Sequence, residues 1–301
     1  MTEPKNTEQS RVDGFSADWL RLREPLDLAA RSEALAQGFK SALKPREGQA
    51  LRLMDLAAGA GANFRALAPL LQADQEWLLV DHDPLLLQAQ REEISNWAQQ
   101  HGWRCVDEGG VLRIEAGNAR WQMRGQQLDL ARDLERIDLP WCDGLVTTAF
   151  LDLVSSAWLD RLCALLAAVP RPLLATLSVD GRRTWHPALA ADGFIGEAFV
   201  AHQAGDKGFG ESLGGHAAAS LVEKLGAHAY RVSVQPSDWR LGAAHGEMLL
   251  TMAREAAMVA LEVNPSREAS VSTWQAERSA QAARGDLTLV VGHLDLLGVP
   301  V

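Results

Sequence analysis

The run Asp55-Leu-Ala-Ala-Gly-Ala-Gly-Ala-Asn63 constrains this chain more than any other stretch. It follows the apolar segment Leu51-Arg-Leu-Met-Asp-Leu56, which reads as a strand, and it leads into residues 63–71, where apolar side chains recur at helical spacing. A strand, a glycine turn and a helix in that order present unpaired backbone N–H groups and the positive end of a helix dipole. Such a corner suits a carboxylate or phosphate, and the glycines let it approach closely. A second apolar segment, Glu76-Trp-Leu-Leu-Val-Asp81, ends in an acid twenty residues after Gly61. At that position the two oxygens of Asp81 can accept both hydroxyls of a ribose.

The rest of the chain extends this opening into a doubly wound α/β pattern. Helical spacing over residues 16–43, with Pro25 marking a break or a helix start, predicts an N-terminal helical cap behind a polar tail over 1–14. After a helix over 84–100, the stretch beginning at Val111 reads as a hairpin around Gly117-Asn118, with the third core strand near 121–130. Strand four is expected over 143–149, a helix over 156–168 and strand five over 173–179. A segment rich in glycine and histidine, 180–215, has the composition of a lid that orders on binding. A helix over 217–225 closing at Gly226, a sixth strand over 229–241, two helices within 244–285 and a last strand over 287–292 complete the pattern. The domain division is thus a tail and cap over 1–45 and one large domain over 46–301.

Bulk properties exclude several classes. A formal charge of −10 over 301 residues, with no dense basic cluster, argues against a nucleic-acid partner. The longest apolar runs are broken well short of the roughly 18 residues a membrane span needs, and the polar start lacks a signal-peptide core, so a cytoplasmic protein is expected. Cys105, Cys142 and Cys163 are too scattered for a disulfide scaffold or a zinc ribbon, and no His-Glu-x-x-His is present, so no metal site is expected.

Three motifs together resemble the class I methyltransferase family. Asp55-Leu-Ala57-Ala-Gly59-Ala-Gly61 is similar to its Asp-x-Gly-x-Gly-x-Gly motif, with Ala57 in place of the first glycine. Val80-Asp81-His-Asp-Pro84 is similar to its Val-Asp-x-Ser-Pro motif, and Asp143-Gly-Leu-Val-Thr-Thr-Ala-Phe150 to its fourth-strand motif. The resemblance implies a seven-stranded, mostly parallel Rossmann-like sheet with helices on both faces, and S-adenosylmethionine as cofactor with S-adenosylhomocysteine as product. It implies further that Asp55, Ala57 and Gly59 line the methionine end, that Gly61 also binds the cofactor, that Asp81 holds the ribose, and that His82, Asp129 and Leu130 meet the adenine. Thr148 would lie beside the methionine amine, and Arg23 and Arg65 are candidates for its carboxylate, because a guanidinium engages a carboxylate bidentately.

On the acceptor side the chemistry is less constrained. Methyl transfer from a sulfonium needs orientation above all, and a base only if the acceptor keeps a proton. Ligands of such sheets sit beyond the carboxyl ends of the strands, which points to Phe150, Asp152, Asp180, Arg182 and Trp185. The segment over 180–215 adds Lys207 and Phe209, and His202, Asp206 and Asp152 are the candidate bases. Absence of an Asn-Pro-Pro-Tyr/Phe or Pro-Cys motif after strand four favours a small-molecule substrate over a nucleic acid. Two alternatives stand beside this reading: a non-catalytic cofactor-binding accessory protein, and a nicotinamide-dependent oxidoreductase, whose glycine spacing would place Phe64 where a small residue is needed.

Overall fold

The computed structural model describes residues 16–301, so the tail expected over 1–14 lies outside the described residues. Two helices open it, α1 (Ala17–Ala30) and α2 (Glu33–Ala42), each capped by a serine hydroxyl that accepts a backbone N–H: Ser16 from Trp19, Ser32 from Leu35. Pro25 sits inside α1, and the break falls later, where Arg31 leaves the helix with ψ 140.

The glycine-turn region then forms β1 (Leu51–Leu56), α3 (Ala62–Leu71), β2 (Gln75–Asp81) and α4 (Pro84–Gln100). Three strands follow, β3 (Arg104–Glu108), β4 (Val111–Ala116) and β5 (Ala119–Gln127), with the β4–β5 hairpin turning at Gly117-Asn118 as its turn residues predict. The chain continues through α5 (Leu130–Asp133), β6 (Gly144–Thr148), α6 (Ser156–Ala168), β7 (Leu173–His186), α7 (Asp192–Gln203) and α8 (Ala217–Gly226). It closes with β8 (Tyr230–Pro236), β9 (Trp239–Leu241), α9 (Gly246–Val263), α10 (Glu268–Arg284) and β10 (Thr288–Pro300).

The sheet runs β3-β4-β5-β2-β1-β6-β7-β10-β8, with β9 on β10. From β5 to β7 every pairing is parallel, and β10 runs antiparallel to both of its long neighbours, β7 and β8. The expected seven strands are β5-β2-β1-β6-β7-β10-β8. Among the described residues the sheet has ten because β3 and β4 extend one edge and β9 pairs with the outer part of β10.

Strand alternation divides the core. Met54, Leu56, Leu78, Val80 and Leu145 pack on the face covered by α6 and α8, whereas Leu53, Trp77, Leu79 and Val146 pack on the face covered by α2, α3 and α4. Helices that follow β1 and β2 therefore lie on one face, and the helix that follows β6 lies on the other. The crevice between the carboxyl ends of β1 and β6 is the switch point of the sheet.

The segment expected as a lid over 180–215 is built differently. Its first part continues β7 to His186 and its centre is α7, leaving only 204–213 between α7 and the next short turn. The reason is non-local: β10 is long enough to pair with β7 from Leu173 to His186, which supplies ladder partners that the local glycine and histidine content does not reveal. Similarly, the sixth strand breaks at Ser237 into β8 and β9, and the last strand runs on to Pro300. Around this projecting β7–β10 ribbon, α7, α9 and α10 form a third apolar cluster containing Leu177, Trp185, Trp239, Trp274 and Met252, against which Trp19, Leu22 and Leu26 of α1 also pack. No helix among the described residues is long and apolar enough to cross a membrane.

Candidate functional site

Asp55, next to last in β1, is fully buried, its Oδ1 accepting from Asn63 Nδ2 at 2.8 Å while Oδ2 has no partner among the described residues. Burial pushes this carboxyl up to about 7, against the opposing pull of Asn63 and of the Arg31 guanidinium. The turn above it passes through left-handed backbone at Ala57, Gly59 and Gly61 (φ 54, 52 and 83). A side chain at Gly59 would meet the end of Leu20 of α1 at 3.0 Å and one at Gly61 the end of Ile94 at 2.9 Å, contacts a flexible side chain can yield, so it is the left-handed backbone that favours glycine at both positions. Ala57 occupies the same kind of conformation without that freedom. Ala149, just beyond β6, is also left-handed at φ 47, so strained backbone gathers on both sides of the switch point.

Asp81 closes β2, nearly buried, and joins the turn directly: its Oδ2 accepts from the Gly59 N–H at 2.8 Å and its Oδ1 from the Asp83 N–H at 3.0 Å. Each oxygen keeps a lone pair beyond these bonds. His82, mostly exposed, sits with Nδ1 3.4 Å from Asp81 Oδ1, and that contact raises its pKa. At the end of β5, Asp129 caps α5 by accepting from the Ala131 N–H, and Leu130 is buried with its carbonyl accepting from Trp158 Nε1 at 2.7 Å. The side chain of Leu130 is thus part of the core.

The two arginines expected to meet a carboxylate are committed elsewhere. Arg23 makes a bidentate pair with Asp27 at 2.8 and 3.1 Å, and Arg65 pairs with Glu24 through both its Nε and its Nη2. Arg31 instead reaches the switch point. Its Nη1 donates to Asn63 Oδ1 (2.7 Å) and Thr176 Oγ1 (2.9 Å), and its Nη2 to Thr148 Oγ1 at 3.3 Å. The guanidinium spans α3, β6 and β7 on neutral oxygens only, with its pKa lowered chiefly by burial. Arg31 is not among the residues to which the sequence motifs point. The stop of a helix before Ser32, which turns the Arg31 side chain inward, is the signal that could have marked it.

Beyond β6, Asp152 has Oδ1 buried without a partner, and burial raises its carboxyl to about 6, with Arg23 the nearest opposing charge. Phe150 is buried edge-on against Trp158 and Phe209 (5.3 Å to each ring), so both phenylalanines belong to one aromatic cluster. Asp180 and Arg182 bind each other, and Arg182 also binds Asp238. Trp185 is buried against Trp274 at 5.5 Å. His202 faces Glu262, 3.6 Å away, while Asp206 accepts from the Gly208 and Gly210 N–H groups of its own loop. These two candidate bases therefore do not meet, because α7 carries the histidine toward α9. Lys207 donates to the His202 carbonyl at 3.2 Å. Among the described residues no group of three or more His, Cys, Asp or Glu is placed to hold a metal.

No family model matches the chain, and no curated protein matches it. Among solved structures it is similar to the cyclopropane synthase MmaA2 from Mycobacterium tuberculosis, at 12% identity and TM-score 0.46, over 93% of this chain and 94% of that one. It is similar to an S-adenosylmethionine-dependent methyltransferase from Thiobacillus denitrificans in complex with S-adenosylhomocysteine, at 12% identity and TM-score 0.42, over 94% and 98%. A third is the Haemonchus contortus phosphoethanolamine N-methyltransferase 2 in complex with S-adenosylmethionine, at 12% identity and TM-score 0.45, over 95% of this chain and 58% of that one.

Proposed function

We propose that this chain is a methyltransferase that binds S-adenosylmethionine at the switch point and passes its methyl group to a small-molecule acceptor by in-line displacement. The observation that carries this reading is the orphaned Asp55 Oδ2, buried beneath a left-handed glycine turn that is itself hydrogen-bonded to Asp81. Such a donor set suits a ligand with an amino acid at one end and a ribose at the other. Asp55 offers a carboxylate to an ammonium, Arg31 offers a guanidinium not ion-paired among the described residues to a carboxylate, and Asp81 keeps a lone pair on Oδ2, with the exposed His82 able to yield Oδ1, for the ribose hydroxyls. His82 and Asp129 stand at the next strand ends, where a base would lie.

When bound, the sulfonium supplies an electrophilic methyl, and the protein's contribution is to hold the acceptor in line with it and to exclude water. Asp152 would take a proton from an acceptor that carries one, a reading supported by its carboxyl, held at about 6 with one oxygen unpartnered among the described residues. Phe64 argues against the nicotinamide alternative. It is fully buried at the start of α3 and edge-on to Trp77 (5.4 Å) and Trp121 (6.1 Å), so aromatic packing takes the place of the close helix–strand contact that a dinucleotide turn needs.

Calorimetry with S-adenosylhomocysteine tests the reading. Saturable binding is expected, weakened about tenfold or more in Asp81→Ala through loss of charge-assisted hydrogen bonds. No binding by the wild-type protein, or binding indifferent to Asp81→Ala, ends it. Incorporation of labelled methyl into any component of a cell extract separates an enzyme from an accessory protein that only binds the cofactor.

A further inference from the structure

At the opposite, amino end of the sheet lies a cavity of about 400 Å3 between the segment after α2 and the turns that enter β6 and β7. Lys44, Arg46 and Arg171 line it with a single acidic side chain, Asp143, and Pro172 and Pro300 form apolar walls. Asp143 is already engaged, its Oδ2 accepting from the Arg52 N–H at 2.9 Å.

The two arginines are held in place by carbonyls rather than by acids. Arg171 donates from Nε to the Cys142 carbonyl (2.5 Å) and from Nη1 to the Pro170 carbonyl (2.9 Å), which leaves the Nη2 N–H groups uncommitted. Its backbone is fixed in turn by the Tyr230 hydroxyl, which accepts from the Arg171 N–H at 3.0 Å. Arg46 donates only from Nη2, to the Pro140 carbonyl at 2.8 Å, leaving Nε and Nη1. Neither these two nor Lys44 forms a salt bridge among the described residues. Most arginines among the described residues find a carboxylate; here three cations outside any ion pair share one cavity with the single carboxylate of Asp143, which leaves these side chains a net positive charge in a chain of formal charge −10.

We propose that this cavity binds a phosphorylated small molecule. The phosphate would be taken by the free N–H groups of Arg46 and Arg171 with Lys44 as a third charge, and the body of the ligand would lie on the proline walls. Guanidinium forks already oriented by carbonyls lose little freedom on meeting a phosphate, and they match its geometry bidentately. The volume exceeds what a lone phosphate fills, which is why an organic body is part of the assignment. This site is separate from the switch point and does not depend on the reading of that site.

Calorimetry with pyrophosphate, and with inorganic phosphate in parallel, tests the proposal in buffer of fixed ionic strength. Saturable pyrophosphate binding is expected, weakened about tenfold by Arg46→Ala and abolished by Arg46→Glu, with inorganic phosphate weaker than pyrophosphate. Affinity for S-adenosylhomocysteine should be unchanged in both variants. Arg171→Ala is expected to match Arg46→Ala; because Arg171 also ties two loops together, the exposed Arg46 decides if that variant does not fold. Absence of saturable pyrophosphate binding overturns the proposal, and so does binding that ignores Arg46→Glu and is displaced by S-adenosylhomocysteine, which would place the anion at the glycine turn.

Discussion

Two arginines, Arg31 at the switch point and Arg278 in the helical layer beside the β7–β10 ribbon, answer the same physical problem in opposite ways. Arg278 is fully buried, lies over the rings of Trp185 and Trp274 (5.2 and 5.3 Å), pairs with Asp192 and donates to the Pro187 carbonyl and Gln281. Its charge is matched within the fold. Arg31 is enclosed as well, yet it rests on Asn63, Thr148 and Thr176, with the partnerless Asp55 Oδ2 close by. Where a charge is matched, the protein gains only architecture. Where charges of both signs are held on neutral partners, it keeps binding capacity at a cost in stability.

The largest effect expected from this contrast is on Arg278. Arg278→Leu leaves Asp192, which also accepts from Trp274 Nε1 and the Leu189 N–H, without its counter-charge in a poorly solvated place. Breaking such a pair from one side costs about 3–5 kcal/mol, to be read from urea unfolding, while the folded fraction should bind S-adenosylhomocysteine as the wild type does. A variant with intact stability and lost binding would break the comparison.

Asp55→Asn should move stability the other way. The folded protein holds this carboxyl at about 7, above its value of about 3.9 in an unfolded chain, so the folded state retains a proton that the unfolded state releases. The resulting penalty is absent below about pH 4, grows as pH rises toward 7 and is constant above it. Asn removes the penalty, so the variant should be more stable by roughly 2–4 kcal/mol at pH 8 and nearly unchanged at pH 4, with affinity for S-adenosylhomocysteine reduced. In the wild-type protein that affinity should strengthen as pH rises through about 7, because an ammonium prefers the ionised carboxylate. A flat pH profile of both stability and binding would show that Asp55 does not titrate in this range.

Arg31→Met tests the other half of the site. Its three partners are neutral, and the loss of about 1 kcal/mol for each hydrogen bond left unmade is partly offset by removing a buried charge, so unfolding free energy should fall by less than about 3 kcal/mol, whereas affinity for S-adenosylhomocysteine should fall about tenfold with the loss of a charge-assisted contact. If unfolding changes as much as in Arg278→Leu, the two arginines are equivalent and the distinction fails.

What could be read from the sequence follows the range of the interactions. The strand, turn and helix around Asp55, the acid at Asp81 and the hairpin at Gly117-Asn118 are set by neighbours a few residues apart, and the structure forms each of them. Arg31 was not legible because its partners lie 32, 117 and 145 residues away. The extension of β7 to His186 depends on Thr288 at the far end of the chain, and the separation of His202 from Asp206 depends on α9. Composition suggested a lid over 180–215 because glycine and histidine counts carry no information about a distant strand. The arginines named for a carboxylate are held by acids of α1 instead: Arg23 by Asp27, a local pair four residues on, and Arg65 by Glu24, which lies 41 residues away and so was no more legible than the partners of Arg31.

The smallest expected effect is the most direct probe of the turn. Ala57 holds φ 54 at the position where the resembling motif carries glycine, and its methyl packs against the core on the α6–α8 face. Left-handed backbone costs a non-glycine residue about 1–2 kcal/mol, and glycine in exchange adds about 0.5–1 kcal/mol of unfolded-state freedom, so Ala57→Gly should stabilise the protein by about 0.5–1 kcal/mol. S-adenosylhomocysteine affinity should hold or rise, since the turn keeps its shape with less strain. Destabilisation would mean that packing of the methyl outweighs the backbone term. In that case the alanine is a structural adaptation of this turn, and the strain at the switch point resides in Ala149 rather than in Ala57.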